Sequence, residues 1–101
     1  MTDLSSGQRK YLRSQAHHLD PVVLVGKQGI TETLIHAVDE SLQARELIKM
    51  RFNDFKREKK ELTAQVAEQT HCQVAGILGH VAILYREHPE EEKRRIQLPS
   101  L

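Results

Sequence analysis

The chain has 101 residues, of which 39% are hydrophobic and 29% charged, and a formal net charge of +1. One domain of this length buries roughly two-thirds of the surface that its unfolded chain exposes and needs no staple. The single cysteine, Cys72, has no CxxC or Cys/His spacing around it, which fits a reducing compartment and argues against a structural zinc site; the N-terminus lacks a signal-peptide pattern, and no apolar run approaches the roughly 20 residues that span a bilayer. A cytoplasmic location is the expectation, with no membrane contact and no cofactor.

Ser5 and Gln8 form a capping-box pattern, and Leu12, Ala16 and Leu19 recur at helical spacing, which predicts a helix from about Ser6 to His18. Pro21 disfavours helical geometry at Asp20, so Val22–Val25 reads as a strand. Four consecutive apolar residues predict a central strand covered on both faces.

Gly26-Lys27-Gln28-Gly29 follows. Two glycines allow a tight turn and a close approach of backbone N–H groups to a ligand, and Lys27 places a cation at the tip. By itself such a GxxG is better read as a plain strand-to-helix turn with a solvated lysine, so the rest of the chain has to decide.

Thr31 can cap a second helix, Glu32 suits its positive end, and Ile30 with Ile35 can form a hydrophobic staple. Leu34, Ile35, Val38 and Leu42 supply its buried stripe to about Ala44. Glu46–Phe52 reads as a strand, and strand, helix, strand in this order implies a right-handed crossover and a parallel pair. Asn53 or Asp54 can cap a third helix to about Gln69, with Phe55, Leu62 and Val66 on its inner stripe.

Cys72–Ile77 and His80–Tyr85 complete a hairpin turning at Leu78-Gly79, with Gly76 marking a bulge. The expected fold class is α/β, a single domain of order α-β-α-β-α-β-β with a mixed four-stranded sheet. Residues 1–86 form that domain and 87–101 a charged tail. If helical, the tail would pair Glu90 with Arg94 and Glu91 with Arg95; otherwise it is a solvated segment whose Ile96, Leu98 and Pro99 dock back as a short extended piece.

Catalytic groups are sparse. The histidines, at 17, 18, 36, 71, 80 and 88, show no metal-binding spacing, and Walker-type phosphate cradles are absent. Cys72 reads as a small buried hydrophobe. Cations, by contrast, cluster. Lys49, Arg51, Lys56, Arg57, Lys59 and Lys60 face only Asp54 and Glu58 between positions 49 and 60, and Arg9, Lys10 and Arg13 share the first helix. Local surpluses of this kind are the footprint of a polyanion partner. The GKQG loop opens into a helix N-terminus, which already favours an anion, although Glu32 competes there. The four aromatics, Tyr11, Phe52, Phe55 and Tyr85, form no base-stacking pattern, so structured RNA fits better than a single-stranded base motif.

Several pieces in order resemble one family: Leu12-Arg13 with Ala16-His17, Pro21-Val22-Val23 leading into Gly26-Lys27-Gln28-Gly29, Glu46-Leu47-Ile48-Lys49, and the closing Leu84-Tyr85-Arg86. From about Leu4 to Arg86 the chain is similar to the CRM-domain family of YhbY-like RNA-binding proteins. The resemblance implies a fold similar to the C-terminal domain of translation initiation factor three, with a GxxG loop like that of KH domains but joining a strand to a helix. It also implies the bacterial stand-alone form, whose members associate with precursors of the large ribosomal subunit. His80 departs from the family pattern, where lysine is common, and so does the acidity of Arg86–Lys93.

The leading expectation is a non-catalytic, monomeric RNA-binding domain for structured ribosomal RNA. Gly26, Lys27, Gln28 and Gly29 would hold phosphate, within a field from Arg9, Lys10, Arg13, Lys49, Arg51, Lys56, Arg57, Lys59 and Lys60. A module binding a ribosomal protein or assembly factor is the alternative. An RNA-processing enzyme, the weakest option, would need a pocket built from His17, His36 or His71 with an acid.

Overall fold

Helices lie on both faces of a mixed four-stranded sheet. The computed structural model describes residues 3–100, with α1 (Ser6–Ala16), β1 (Val23–Val25), α2 (Glu32–Arg45), β2 (Leu47–Phe52), α3 (Lys59–Thr70), β3 (Gln73–Leu78) and β4 (Val81–Tyr85). The strand order is β1-β2-β4-β3. β1 runs parallel to β2 with Val23 opposite Met50, while β4 is antiparallel to both β2 and β3. Fold class and element order therefore follow the sequence expectation.

Strand alternation sends side chains to two cores. Val23, Val25, Ile48, Met50, Phe52, Ala82 and Leu84 meet Leu34, Val38 and Leu42 of α2 and Val66 of α3. On the other face Leu47, Ala75, Ile83 and Tyr85 meet Leu4 and, from α1, Leu12 and Ala16. The capping box of α1 is complete, with the Gln8 N–H donating to Ser5 Oγ and the Ser5 N–H to Gln8 Oε1. Ala75 is the extra residue of a bulge, since pairing passes from Val74 opposite Leu84 to Gly76 opposite Ile83. Gly76 gives its space to Arg13: a Cβ there would lie 2.7 Å from Arg13 Cδ, and Arg13 Nη1 donates to the Ala75 carbonyl at 2.9 Å.

Several expectations are corrected. β1 is an edge strand, not a central one, and its outward Leu24 is 55% exposed because α1 does not reach over it. α1 stops at Ala16, where the His17 and Leu19 N–H groups turn back onto Ser14 and Ala16 carbonyls, leaving Leu19 outside. Neither Asn53 nor Asp54 caps α3. Both N–H groups donate to the Val25 carbonyl, Asp54 Oδ1 accepts from the Phe55 N–H, and a 3₁₀ turn over Lys56–Glu58 precedes the helix. Phe55 consequently lies outside the inner stripe that holds Val66, with Leu62 packed beside it. The hairpin turns at Gly79-His80, one residue later than expected.

Beyond Tyr85 the chain doubles back. Ile96 and Leu98 pack against the α1-side core, and Gln8 Nε2 donates to the Pro99 carbonyl. Carboxylate oxygens of buried Glu46 accept from the His88, Arg95 and Ile96 N–H groups, which fixes these residues in an irregular path. The i,i+4 pairs are therefore not formed: Glu90 meets Lys93 at 2.8 Å, and Arg94 meets Glu87 at 3.5 Å.

Candidate nucleic-acid interface

Strand polarity brings three connections to one end of the sheet. β1 and β2 finish there, β3 finishes beside them, and β4 starts there. The GKQG loop, the 53–58 segment and the Gly79-His80 turn are thus neighbours. Hydrogen bonds tie them: Asn53 and Asp54 N–H to the Val25 carbonyl, Phe52 N–H to the His80 carbonyl at 2.8 Å, and Lys59 Nζ to the Gly79 carbonyl.

The loop itself is a closed turn, with the Gly29 N–H donating to the Gly26 carbonyl at 3.0 Å and Gly29 at φ 70°. That positive φ is the reason for glycine, since an L side chain there would be strained. Lys27 and Gln28 are left exposed at the tip. Thr31 Oγ1 accepts from the Leu34 N–H at 3.0 Å, so the first turn of α2 is already capped from within, and exposed Glu32 occupies its positive end. The helix terminus is thereby less open to an anion than its placement implied. Cations stand beside the loop instead.

Lys56 and Arg57 are exposed immediately after Phe55, whose ring lies against Gly29. Arg51 projects from β2 on the α1 side of the sheet, in the row Leu24, Arg51, Val81 and Leu78 that α1 leaves uncovered. Partial shielding from water and then the fields of Lys59, Lys56 and Arg51 hold the exposed His80 imidazole below its ordinary value of 6.5. That shift reports cations gathered around the turn. Lys49 lies one step back along β2, its Nζ 3.5 Å from the His17 carbonyl at the end of α1, and Lys60 is exposed on the first turn of α3.

The first-helix cations are elsewhere. α1 packs toward β3, the edge opposite β1; Arg13 is bound to Ala75, Arg9 Nη1 donates to the Leu4 carbonyl at 2.8 Å, and Lys10 is exposed. The thirteen positions expected from sequence thus divide into an end group around GKQG and a separate α1 group. His17 follows the end of α1, His36 lies on α2 and His71 follows the end of α3, and His36 Nε2 meets Glu40 at 2.7 Å. Among the described residues no cluster of His, Cys, Asp and Glu is arranged to hold a metal ion, and no helix is long and apolar enough to cross a membrane. Burial pushes the Cys72 thiol above its ordinary value, against the smaller effects of Thr70 and Arg86, which suits a packing role.

Sequence reasoning missed Phe55 at this end. The signal was available in Asn53-Asp54, a turn-forming pair directly before it.

Residues 4–86 match the CRS1 / YhbY (CRM) domain. The chain belongs to this family. Among its relatives, "RNA-binding protein" of Haemophilus influenzae is 39% identical over 98% of this chain and 98% of its own length. Bacillus subtilis "Probable RNA-binding protein YqeI" is 34% identical over 95% of this chain and 99% of its own. The solution structure of Staphylococcus aureus SAV1595, described as "a putative RNA binding protein", superposes with a TM-score of 0.80 at 40% identity, covering 95% of this chain and 99% of that one. The CRM match ends at Arg86, so it leaves out the segment that Glu46 straps across the α1 face.

Proposed function

We propose that this CRM domain is a non-catalytic RNA-binding module that grips the phosphates of structured RNA with the basic end of its sheet, and that its target is ribosomal RNA in precursors of the large subunit. One observation carries the reading: GKQG, Arg51, Lys56, Arg57, Lys59 and the His80 turn converge at one end, although they are dispersed over more than fifty positions of sequence. The names of the relatives support RNA as the polyanion. The family resemblance supports the ribosomal target and, with it, a cytoplasmic place of work.

Titration of a ribosomal RNA hairpin at increasing salt tests the phosphate grip. Log affinity should fall linearly with log salt concentration, and Lys27→Ala should reduce the slope by about one unit. Affinity indifferent to salt would overturn the reading. Crosslinking in cells tests the target, which stands if the crosslinked nucleotides map to large-subunit precursors and falls if they map only to other RNAs.

The exposed row of Leu24 and Leu78, 55% and 58% accessible, favours protein docking as a second reading. That reading replaces the first if partner capture survives RNase and is unaffected by reversal of Lys56 and Arg57.

A further inference from the structure

Phe55 adopts φ 54°, in the left-handed region that a bulky aromatic side chain rarely enters. The conformation is imposed from both sides. Before it, Asn53 and Asp54 are pulled onto the Val25 carbonyl, and Asp54 Oδ1 accepts from the Phe55 N–H at 2.8 Å; after it, the Phe55 carbonyl accepts from the Glu58 N–H at 3.1 Å in the 3₁₀ turn. The outcome is a ring held outside the core. One edge, Cδ2–Cε2–Cζ, lies against Gly29, where a Cβ would sit 3.5 Å from Cε2, and the residue remains 37% exposed.

An outlier of this kind in a packed protein asks for a use. Core packing does not supply one, because the neighbouring core is already closed by Phe52, which is fully buried. The surroundings point outward. Lys56 and Arg57 follow the ring, exposed Lys27 belongs to the same loop as Gly29, and a depression of about 430 Å³ runs over Asn53, Asp54, Phe55, Lys56, Arg57 and Glu58. Exposed Asn53 adds an amide able both to donate and to accept at a base edge.

We infer that Phe55 is a stacking platform for one unpaired base of the RNA whose phosphates the adjoining cations hold. The inference rests on the RNA reading above and adds a nucleotide preference to it: a bulge or loop base presented by a structured RNA, rather than an uninterrupted duplex. Stacking on an aromatic face tolerates any base, so the site distinguishes unpaired from paired nucleotides without fixing sequence.

The chain has no tryptophan, so Phe55→Trp introduces a single fluorescent reporter at the site. Its emission should be quenched when the protein is titrated with a hairpin carrying a single unpaired nucleotide, and should change little with a fully paired duplex of equal length. Phe55→Leu keeps an apolar brace against Gly29 but removes the π face. It should weaken binding of the bulged RNA about 5- to 100-fold and leave duplex binding within about twofold. An abasic site at the bulge should reproduce that loss in the wild-type protein. Equal losses on both RNAs, or no loss and no quenching while salt-dependent binding persists, would overturn the stacking role and leave the phosphate grip standing. A wild-type protein that binds neither RNA would overturn both.

Discussion

Glu46 ends α2 at φ 65°, where a helix more often places glycine, and is only 1% exposed. Its N–H donates to the Leu42 carbonyl, its own carbonyl accepts from the Arg86 N–H, and its carboxylate accepts from the backbone of His88, Arg95 and Ile96. A buried carboxylate is costly unless hydrogen-bonded in this manner. The sequence places Glu46 at the start of a strand and offers no sign of a partner more than forty positions away. Glu46→Gln turns an acceptor-only group into one that also presents N–H donors to backbone N–H groups. It should destabilise the fold by about 1.5–3 kcal/mol in denaturant unfolding. Amide exchange at His88, Arg95 and Ile96 should accelerate selectively, while RNA affinity stays the same because the strap lies at the far end of the sheet. Unaltered exchange at those three amides would rule out the latch.

The elements that were legible from sequence are those whose signals are local. The capping box of α1, the Thr31 cap and apolar stripe of α2, and the β2 and hairpin strands form as their patterns dictate. β1 was misplaced because edge or centre is decided by partners more than twenty positions away, and Phe55 was misplaced because the Val25 carbonyl captures the two residues that would have capped α3. The bonds from the Phe52 N–H to the His80 carbonyl and from Lys59 Nζ to the Gly79 carbonyl keep the β3–β4 turn within the field of Lys59, Lys56 and Arg51, and this gives His80 a measurable signature. In the free protein the imidazole is held below 6.5, hence neutral at pH 7. RNA phosphates stabilise the imidazolium, so the bound state has the higher pKa and binding takes up a proton. Affinity at constant ionic strength should therefore rise as pH falls from about 7 toward 5.5, and His80→Gln should lose that component. A wild-type profile identical to that of the variant would place the turn outside the interface.

At the scale of the whole molecule, a net charge of +1 conceals a local surplus of cations at one end of the sheet. The GKQG end carries Lys27, Arg51, Lys56, Arg57, Lys59 and Lys60 against Glu32, Asp54 and Glu58, a surplus of cations; at the opposite end, where β4 finishes, Glu87 and the Glu90–Glu92 run are offset by Arg86, Lys93, Arg94 and Arg95. A polyanion approaching such a patch is steered toward it, and steering depends on where charges lie rather than on their sum. Composition could register the clusters, but only the fold assigns Arg9, Lys10 and Arg13 to a different edge. Two double variants with the same change in net charge separate these cases. Lys56→Glu with Arg57→Glu should lower the association rate for RNA more than tenfold at low salt, whereas Arg9→Glu with Lys10→Glu should lower it less than about threefold. Stopped-flow association at several ionic strengths makes the comparison, with cooperative thermal unfolding of each variant establishing that it is folded. Equal reductions would mean that the chain attracts RNA by overall charge, and the assignment of the interface to the GKQG end would fall.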